Sequence, residues 1–221
     1  MKEGLLVIDK PAGMTSHDVV DVVRRRFKMK RVGHSGTLDP VATGVLVVLL
    51  GKATKLFAQF VNFDKSYDAT LRLGVVTDTG DVEGRVIRER DAGGVLPEEV
   101  RRVFATFLGQ RQQVPPMVSA IKHKGQRLYE LARRGIQIER SARPIKIYEL
   151  SITRLALPEV DFTVRCSKGT YVRRLGEEIG EALGVGGYIS RIRRTALGPF
   201  QIKDAVALDA FNESHIRHWS S

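Results

Sequence analysis

A glycine-rich loop carries the residue types best suited to chemistry in this sequence. Residues 32–46, VGHSGTLDPVATGVL, contain three glycines together with His34, Asp39 and Pro40. Glycine permits close backbone approach, and the proline moves Asp39 away from helical geometry and stiffens its backbone. Polar side chains on such a loop, just before an apolar strand, are well placed for a functional site. The pattern alone fits a catalytic carboxylate, but an Asx-turn before proline is the more common explanation of such a residue.

Several familiar kinds of catalytic centre find no match in the sequence. The GKAT segment at residues 51–54 lacks the spacing of a phosphate-binding P-loop, and no serine lies in a GxSxG context. The single cysteine, Cys166, excludes an internal disulfide and any cysteine-rich metal centre. His215 and His218 lie in a polar tail, where solvation is favoured over metal binding. We therefore expect chemistry that uses neither a metal nor a cofactor.

The charge balance points to a polyanionic partner. The chain has 36 Lys and Arg against 25 Asp and Glu, a formal net charge of +11. Nucleic acid is the first candidate and an anionic membrane surface the second, because each neutralised phosphate releases condensed counterions. Two basic stretches stand out, residues 24–31 with six cations in eight positions and residues 122–143 with seven. For the first stretch a solvated face is the default interpretation.

Hydrophobic periodicity predicts the elements that position the loop. We expect strands over residues 5–9, 45–50, 67–73, 83–90, 145–155 and 161–166, with short strand-like pieces up to about Leu208. Thr15 and Ser16 are N-cap candidates for a helix that ends near Phe27. Further helices are expected from near Pro97, over residues 128–134 and over residues 175–183.

The order of these elements predicts an α+β (mixed α/β) fold. Strands outnumber helices and do not alternate strictly with them, which is unlike a doubly wound sheet. We expect residues 1–221 to form a single domain with an insertion at about 115–144. No secretory signal and no bilayer-spanning segment is evident, and one cysteine fits a reducing compartment, so we expect a cytoplasmic protein.

Six segments in order resemble the TruB family of tRNA pseudouridine synthases. They cover the chain from Leu5 to about Leu208 and read LLVIDKPAGMTSHDVV, GHSGTLDPVATGVL, SYDATLRLGVVTDTGD, QVPPMVSAIKHKGQRLYELARRG, RCSKGTYVRRLGEEIG and RIRRTALGPF. The resemblance implies the pseudouridine synthase fold, a mostly antiparallel central sheet flanked by helices, with a basic thumb insertion at about 115–144. It also implies isomerisation of one uridine in the T-arm of tRNA, at position 55 of the TΨC loop.

The resemblance assigns the chemistry to three residues. Asp39 matches the essential carboxylate, which starts glycosidic cleavage either by covalent attack or by removing a sugar proton. Arg173 matches the arginine that pairs with this carboxylate and keeps it ionised. Tyr67 matches the aromatic residue that stacks on the target base and contributes to removal of the carbon-5 proton. Without such sequence context, Arg173 is an ordinary solvated arginine and Tyr67 a core tyrosine.

The resemblance places further residues around the substrate. His34 matches the residue that enters the T-loop when the target nucleotide leaves its stack, and Tyr171 and Ile192 match positions lining the uracil pocket. Simple core packing is an alternative for Ile192. For Lys10, in the first motif, we expect a structural or phosphate-facing role.

The resemblance also bears on which partners the protein is expected to bind. We expect tRNA as partner, bound partly by the thumb, no membrane, no protein partner and a monomeric protein. The sequence after Leu208 is too short for the C-terminal PUA-type RNA-binding module that members of this family usually carry, so we expect that module to be absent. A pseudouridine synthase acting on another RNA and a tRNA-binding folding factor are the alternative functions.

Overall fold

The computed structural model describes residues 2–119, 121–123 and 125–219, without the side chains of residues 122, 123 and 133. The helices are α1 Ser16–Phe27, α2 Phe57–Val61, α3 Pro97–Ala105, α4 Leu128–Arg133 and α5 Val172–Ala182. The strands are β1 Gly4–Lys10, β2 Val32–His34, β3 Thr43–Leu50, β4 Lys65–Leu73, β5 Val75–Thr77, β6 Val86–Glu89, β7 Gly109–Gln113, β8 Lys122–His123, β9 Gln126–Arg127, β10 Arg143–Ala156, β11 Glu159–Cys166, β12 Gly187–Leu197, β13 Phe200–Gln201 and β14 Val206–Ala207. Three short 3-10 helices lie at Gly51–Leu56, Ile202–Asp204 and Glu213–His215.

The chain divides into two compact units. The first combines Met1–Asp68 with Ile192–Ser221, and the second comprises Ala69–Arg191. The expectation of a single catalytic domain over residues 1–221 stays a prediction. In the described parts of the chain, no helix is both long enough and apolar enough to cross a bilayer.

The first unit is built on strands in the order β14–β1–β3–β12. Strand β1 runs antiparallel to β3 and parallel to β14, and β2 adds to β3 in antiparallel orientation. Apolar side chains of β1 and β3 are buried together with rings from α2 and β13, forming one core cluster: Leu5, Val7, Val45, Val47, Leu49, Phe60, Leu197 and Phe200. Burying this apolar surface is the main stabilising contribution to the unit.

Helix α1 closes the first unit with its predicted apolar stripe. Val19, Val20, Val23 and Phe27 recur at helical spacing and are all buried. Thr15 is the N-cap, and it forms a capping box with Asp18. The hydrogen bond from the Thr15 hydroxyl lowers the pKa of the exposed Asp18 carboxyl. The predicted helix start is thus confirmed in detail.

The second unit includes parts of β12 and β4 and has strands in the order β12–β4–β11–β10–β7, with a separate hairpin of β5 and β6. Strands β7, β10 and β11 are antiparallel neighbours. Helices α3 and α5 bury their apolar stripes, including Val100, Phe104, Leu175 and Ile179. The predicted α+β class with a mixed, mostly antiparallel sheet is confirmed.

Two predicted elements need correction, and a further strand was missed. The strand expected at 83–90 is shorter, Val86–Glu89, because the residues before it form a turn around Asp81. The short pieces expected after α5 begin with one long strand, β12, which includes the buried cation Arg194. Strand β7, GQRQQ, was not predicted, since its polar sequence lacks the apolar alternation of a half-buried strand.

Candidate active site

The backbone on both sides of Asp39 is held in place. Asp39 is half-buried on the loop that joins β2 to β3. Before it, the buried Ser16 hydroxyl accepts the Leu38 N–H at 2.8 Å and donates to the Leu38 carbonyl at 3.2 Å. After it, the Pro40 carbonyl accepts the N–H of Gly13 at 2.9 Å. These bonds join the loop to the segment between β1 and α1, which limits the positions that Asp39 can adopt.

A buried lysine strengthens the same arrangement. The side chain of Lys10, at the end of β1, has 0% exposure. Its ammonium donates hydrogen bonds to the carbonyls of Pro11 at 2.8 Å, Met14 at 2.6 Å and Pro40 at 3.2 Å. Since a buried charge must be fully hydrogen-bonded to be tolerated, this lysine acts as a structural link. Of the two roles expected for Lys10, the geometry supports the structural one.

The glycine at the end of the loop permits close approach of two strands. Gly44 has φ +102°, and a Cβ there would lie 2.2 Å from the carbonyl oxygen of Arg194. Strand β12 runs parallel to β3 at this point, with Arg193 opposite Thr43 and Arg194 opposite Gly44. Any larger side chain at residue 44 would push the strands apart. The loop is thereby anchored at its β3 end as well.

His34 and Ile192 lie on the strands that border this loop. His34 ends β2 opposite Val48, and its Nδ1 accepts the N–H of Gly36 at 3.3 Å. Ile192, 8% exposed, directly precedes Arg193, whose partner Thr43 begins β3. The first unit therefore brings His34, Asp39 and Ile192 to neighbouring segments.

Tyr67 lies on β4 in the same unit. Its side chain is 8% exposed, so its burial also agrees with the alternative of a core tyrosine. The adjacent strand is β12, which carries Ile192, and the two are joined at the end of β12 by the bond from the Gly198 N–H to the Asp64 carbonyl at 2.9 Å.

Arg173 belongs to the second unit, and its guanidinium is buried. It lies in the first turn of α5 with 3% exposure. Its nitrogens donate to the carbonyl of Thr79 at 2.9 Å and to that of Val118 at 2.8 Å, and they lie 3.3 Å from the Asp81 carboxylate. Val118 is at the beginning of the thumb segment. Arg173 thus ties the first turn of α5 to two loops of its own unit.

Asp81 is a second buried charge that holds Arg173. Its side chain is only 4% exposed. Its Oδ1 accepts the hydroxyl of Thr79 at 2.6 Å and the N–H of Glu83 at 3.1 Å, while Oδ2 faces Arg173. A buried ion pair is tolerated only when its remaining hydrogen-bonding capacity is met, as it is here. The pair fixes the orientation of the guanidinium.

Tyr171 is placed by a buried amide. It precedes α5 as its N-cap residue, where its N–H donates to Oε1 of Gln113 at 2.8 Å and its carbonyl accepts from Nε2 at 3.2 Å. Gln113, the last residue of β7, is 2% exposed. A buried amide that uses both of its ends in this way fixes the backbone at residue 171.

The next arginine, Arg174, lies at the surface of the same helix. It is 39% exposed and pairs with Glu177 at 2.9 Å and Glu178 at 3.1 Å on the same helix. Burial raises the pKa of the Glu178 carboxyl despite this pairing. Neighbouring arginines in one motif therefore differ, with one buried and one at the surface.

Three residues organise these segments through contacts that local sequence patterns do not indicate. Asp81, Gln113 and Ser16 are buried polar residues whose partners are distant in sequence. Asp81 lies in the segment SYDATLRLGVVTDTGD, and that motif was the one available signal for it. The roles predicted for Asp39, Tyr67, Arg173, His34, Tyr171 and Ile192 remain predictions.

Comparisons with known proteins agree with the resemblance read from the motifs. Residues 24–172 match the model of the TruB family pseudouridylate synthase N-terminal domain. Residues 173–219 match the tRNA pseudouridylate synthase B C-terminal domain.

Curated relatives are similar over most of the chain. The tRNA pseudouridine synthase B of Clostridium tetani is 46% identical over 98% of this chain and 75% of the relative. That of Opitutus terrae is 46% identical over 94% of this chain and 86% of the relative. That of Geotalea uraniireducens is 50% identical over 94% of this chain and 67% of the relative.

Solved structures share the fold. A chain in the crystal structure of a Cbf5–Nop10–Gar1 complex has a TM-score of 0.75 at 32% identity, covering 94% of this chain and 53% of that one. A chain in an H/ACA RNP bound to a substrate RNA containing 2′-deoxyuridine gives 0.71 at 29%, over 94% and 52%. The predicted pseudouridine synthase fold is confirmed, and the chain belongs to the TruB family of pseudouridylate synthases.

Proposed function

We propose that this protein isomerises a uridine in the T-arm of tRNA to pseudouridine, with Asp39 as the catalytic carboxylate. Membership of the TruB family supports the reaction, and relatives named tRNA pseudouridine synthase B support tRNA as the substrate. The proposal goes further in one respect, since it places the target uridine in the T-arm, at position 55 of the tRNA.

The fixed loop around Asp39 is the observation that carries the catalytic assignment. Ser16, Lys10 and Gly13 hold the residues on either side of Asp39 through hydrogen bonds of 2.8–3.2 Å. A turn residue at the surface needs no such support, whereas a reacting group gains from a backbone that is already in position. Asp39 is also half-buried, which leaves it reachable.

The reaction needs a carboxylate and a pocket. The ionised Asp39 starts cleavage of the bond between uracil N1 and ribose C1′, by attack on the sugar or by removal of a sugar proton. The freed uracil turns, and its C5 bonds to C1′. C5 then loses its proton while N1 gains one, so that the atoms of substrate and product are the same.

The remaining predicted residues bind and orient the nucleotide. In the proposal, Tyr67 stacks on the target base, an interaction worth about 1–3 kcal/mol, and contributes to removal of the C5 proton. Tyr171 and Ile192 line the uracil pocket, and His34 replaces the extruded nucleotide in the T-loop. Extrusion costs a few kcal/mol, so a residue that fills the vacated space favours the reactive state. Arg173 keeps the carboxylate ionised, since a nearby positive charge favours the charged form of an acid.

Mapping the product tests the substrate assignment. Tritium release from carbon-5-labelled uridine is measured with a tRNA transcript, and the modified position is located by sequencing the RNA. We expect one modified uridine, in the T-arm. Modification only in a ribosomal RNA fragment would overturn the tRNA assignment, and firm tRNA binding without release of tritium would favour a folding factor.

A further inference from the structure

The C-terminal end of α1 and the 3-10 helix after β3 together display an unusual concentration of cations. We call this region the α1 basic surface and define it by its exposed members: Arg25, Lys28, Lys30, Arg31, Lys52 and Lys55. All of them belong to the first unit.

Two of the six cations in residues 24–31 serve the fold and do not belong to this surface. Arg24 pairs with Asp21 at 2.9 Å and donates to the Val32 carbonyl at 2.9 Å. Arg26 donates to the carbonyls of Asp209 and Phe211, and its guanidinium lies 4.3 Å from the Phe211 ring centroid. The basic run is therefore not uniform, and these two members make contacts within the fold.

The two segments of the surface are joined by direct bonds. The Arg31 carbonyl accepts the N–H of Gly51 at 2.9 Å, and the Arg31 Nε donates to the Thr54 hydroxyl at 2.7 Å. These bonds place the basic run against the 3-10 helix Gly51–Leu56. Lys52 and Lys55 are three residues apart on it and, with three residues per turn, share one face.

The cations of the α1 basic surface lack the acidic partners that arginines have elsewhere. Among the described residues, no carboxylate lies within 4.0 Å of Arg25, Lys28, Lys30, Arg31 or Lys55, and Lys52 reaches only Glu3, at 3.5 Å with 79% exposure. In contrast, exposed arginines of the second unit pair with acids, as in Arg165–Glu149, Arg154–Asp161 and Arg174–Glu178.

Uncompensated like charges on one surface repel one another and reduce the stability of the free protein. A favourable interaction with the C-terminal carbonyls of α1 accounts for Arg25 in the last turn and for Lys28 at the C-cap. It does not extend to the other four cations of the surface, Lys30, Arg31, Lys52 and Lys55. A polyanion compensates all of these charges at once and releases counterions.

We propose that the α1 basic surface binds the phosphate backbone of the tRNA substrate, as a contact separate from the uracil pocket and from the thumb. The inference rests on the proposed function, because that function makes tRNA the polyanion. The contact contributes affinity and salt dependence, and it carries no base specificity.

A triple variant tests the contact: Arg25→Gln, Lys28→Asn and Lys30→Gln. Asparagine is chosen at residue 28 because Lys28 has a left-handed backbone, φ 51°, which asparagine tolerates well. The matched control removes three exposed cations elsewhere: Arg101→Gln, Arg102→Gln and Lys203→Gln. Both variants lower the net charge equally, so a difference between them reports the location of the charges.

Affinity for a tRNA transcript is measured over a range of salt concentrations. For the triple variant we expect a dissociation constant raised about tenfold or more at low salt, and a slope of log K against log salt reduced by about two to three. The melting temperature is unchanged or higher, and turnover at saturating tRNA is unchanged. The control keeps the original slope. A double variant, Lys52→Gln with Lys55→Gln, lowers the slope by about one to two.

Equal slopes for the triple variant and the unaltered protein would overturn the proposed contact, as would an equal loss in the control. A lower melting temperature with unchanged affinity would show that these cations serve the fold. If the unaltered protein forms no pseudouridine, the proposed function fails, and the slopes still decide whether this surface binds RNA.

Discussion

The loop of Asp39 and the helix start that carries Arg173 are fixed by different kinds of interaction. In the first unit, a lysine ammonium and a serine hydroxyl bind backbone groups on either side of Asp39. In the second unit, the charged group of Arg173 is itself held, by Asp81 and two carbonyls.

The difference follows from what each proposed role requires. A carboxylate that reacts must change its bonding during the reaction, so bonds to the neighbouring backbone can fix its position throughout. A guanidinium that only supplies charge works best when its position is constant. Substitutions of Lys10 or Ser16 are thus expected to affect the stability and position of the Asp39 loop. A substitution of Asp81 is expected to affect the position of the Arg173 charge.

Loss of Lys10 is expected to have the largest effect. Lys10→Met removes a buried ammonium and leaves the carbonyls of Pro11, Met14 and Pro40 without it. Because hydrogen bonds to charged groups contribute about 1.5–3 kcal/mol each and do not add fully, we expect the free energy of unfolding to fall by about 4 kcal/mol. Urea unfolding measures this loss, with the exposed Lys203→Met as control. A loss below about 1 kcal/mol would contradict the structural role.

Neutralising Asp81 is expected to come next. Asp81→Asn keeps the shape but removes the negative charge that lies 3.3 Å from the buried guanidinium of Arg173. We expect about 2–3 kcal/mol of lost stability and at least a tenfold slower turnover, with unchanged affinity for tRNA. The control is Glu83→Gln, an exposed acid in the same turn. Normal turnover of Asp81→Asn would show that a fixed guanidinium is unnecessary.

Removing the Ser16 hydroxyl is expected to have a moderate effect that is concentrated on the loop. Ser16→Ala leaves the buried N–H and carbonyl of Leu38 without this partner, at a cost of about 1–2 kcal/mol. Thr15→Ala removes the N-cap of α1 at a similar cost of about 1 kcal/mol. Turnover is expected to fall only for Ser16→Ala, measured at a temperature where both variants are folded. An equal fall in both would mean that helix stability controls the loop.

The smallest expected effect is on the pH dependence of stability, through Glu178 on α5. Burial raises the pKa of Glu178 above its ordinary value of 4.5, so the folded state holds this proton more tightly than the unfolded state. Deprotonation of Glu178 therefore destabilises the folded state. The loss of stability develops as the pH rises through the pKa values of Glu178 in the unfolded and folded states. Glu178→Gln is expected to match the unaltered protein near pH 4 and to be more stable at pH 7, by less than about 1 kcal/mol given its partial exposure. Thermal melts across this range measure the difference, and the reverse trend would contradict the assigned cause.

Local patterns explain which parts of the fold could be predicted from the sequence. Helix α1 and strands β1 and β3 were predicted because their apolar residues recur at regular spacing and their caps are local. Strand β12 was predicted only as short pieces, since Arg191, Arg193 and Arg194 interrupt its apolar pattern. Arg194 is nevertheless 1% exposed and donates to the Val45 carbonyl, a partner that a single strand does not reveal.

The candidate site was predictable where chemistry and motif coincide. Asp39 was proposed from its loop together with the family resemblance, and the other site residues from the resemblance alone. A structural role for Lys10 was among the expectations, but its partners and the supports at Ser16 and Asp81 were not predicted, because they involve residues distant in sequence. A buried polar residue looks like a surface residue until its partners are known.

Replacing the carboxylate itself tests the central claim most directly. Asp39→Asn keeps the size and the loop, while Asp209→Asn serves as an exposed control in the same unit. Affinity for tRNA and pseudouridine formation in a single turnover are measured for both. We predict that Asp39→Asn binds tRNA as the unaltered protein does and forms product slower by on the order of a thousandfold or more. Product formation by Asp39→Asn at the rate of the control would contradict the assignment of Asp39 as the catalytic carboxylate.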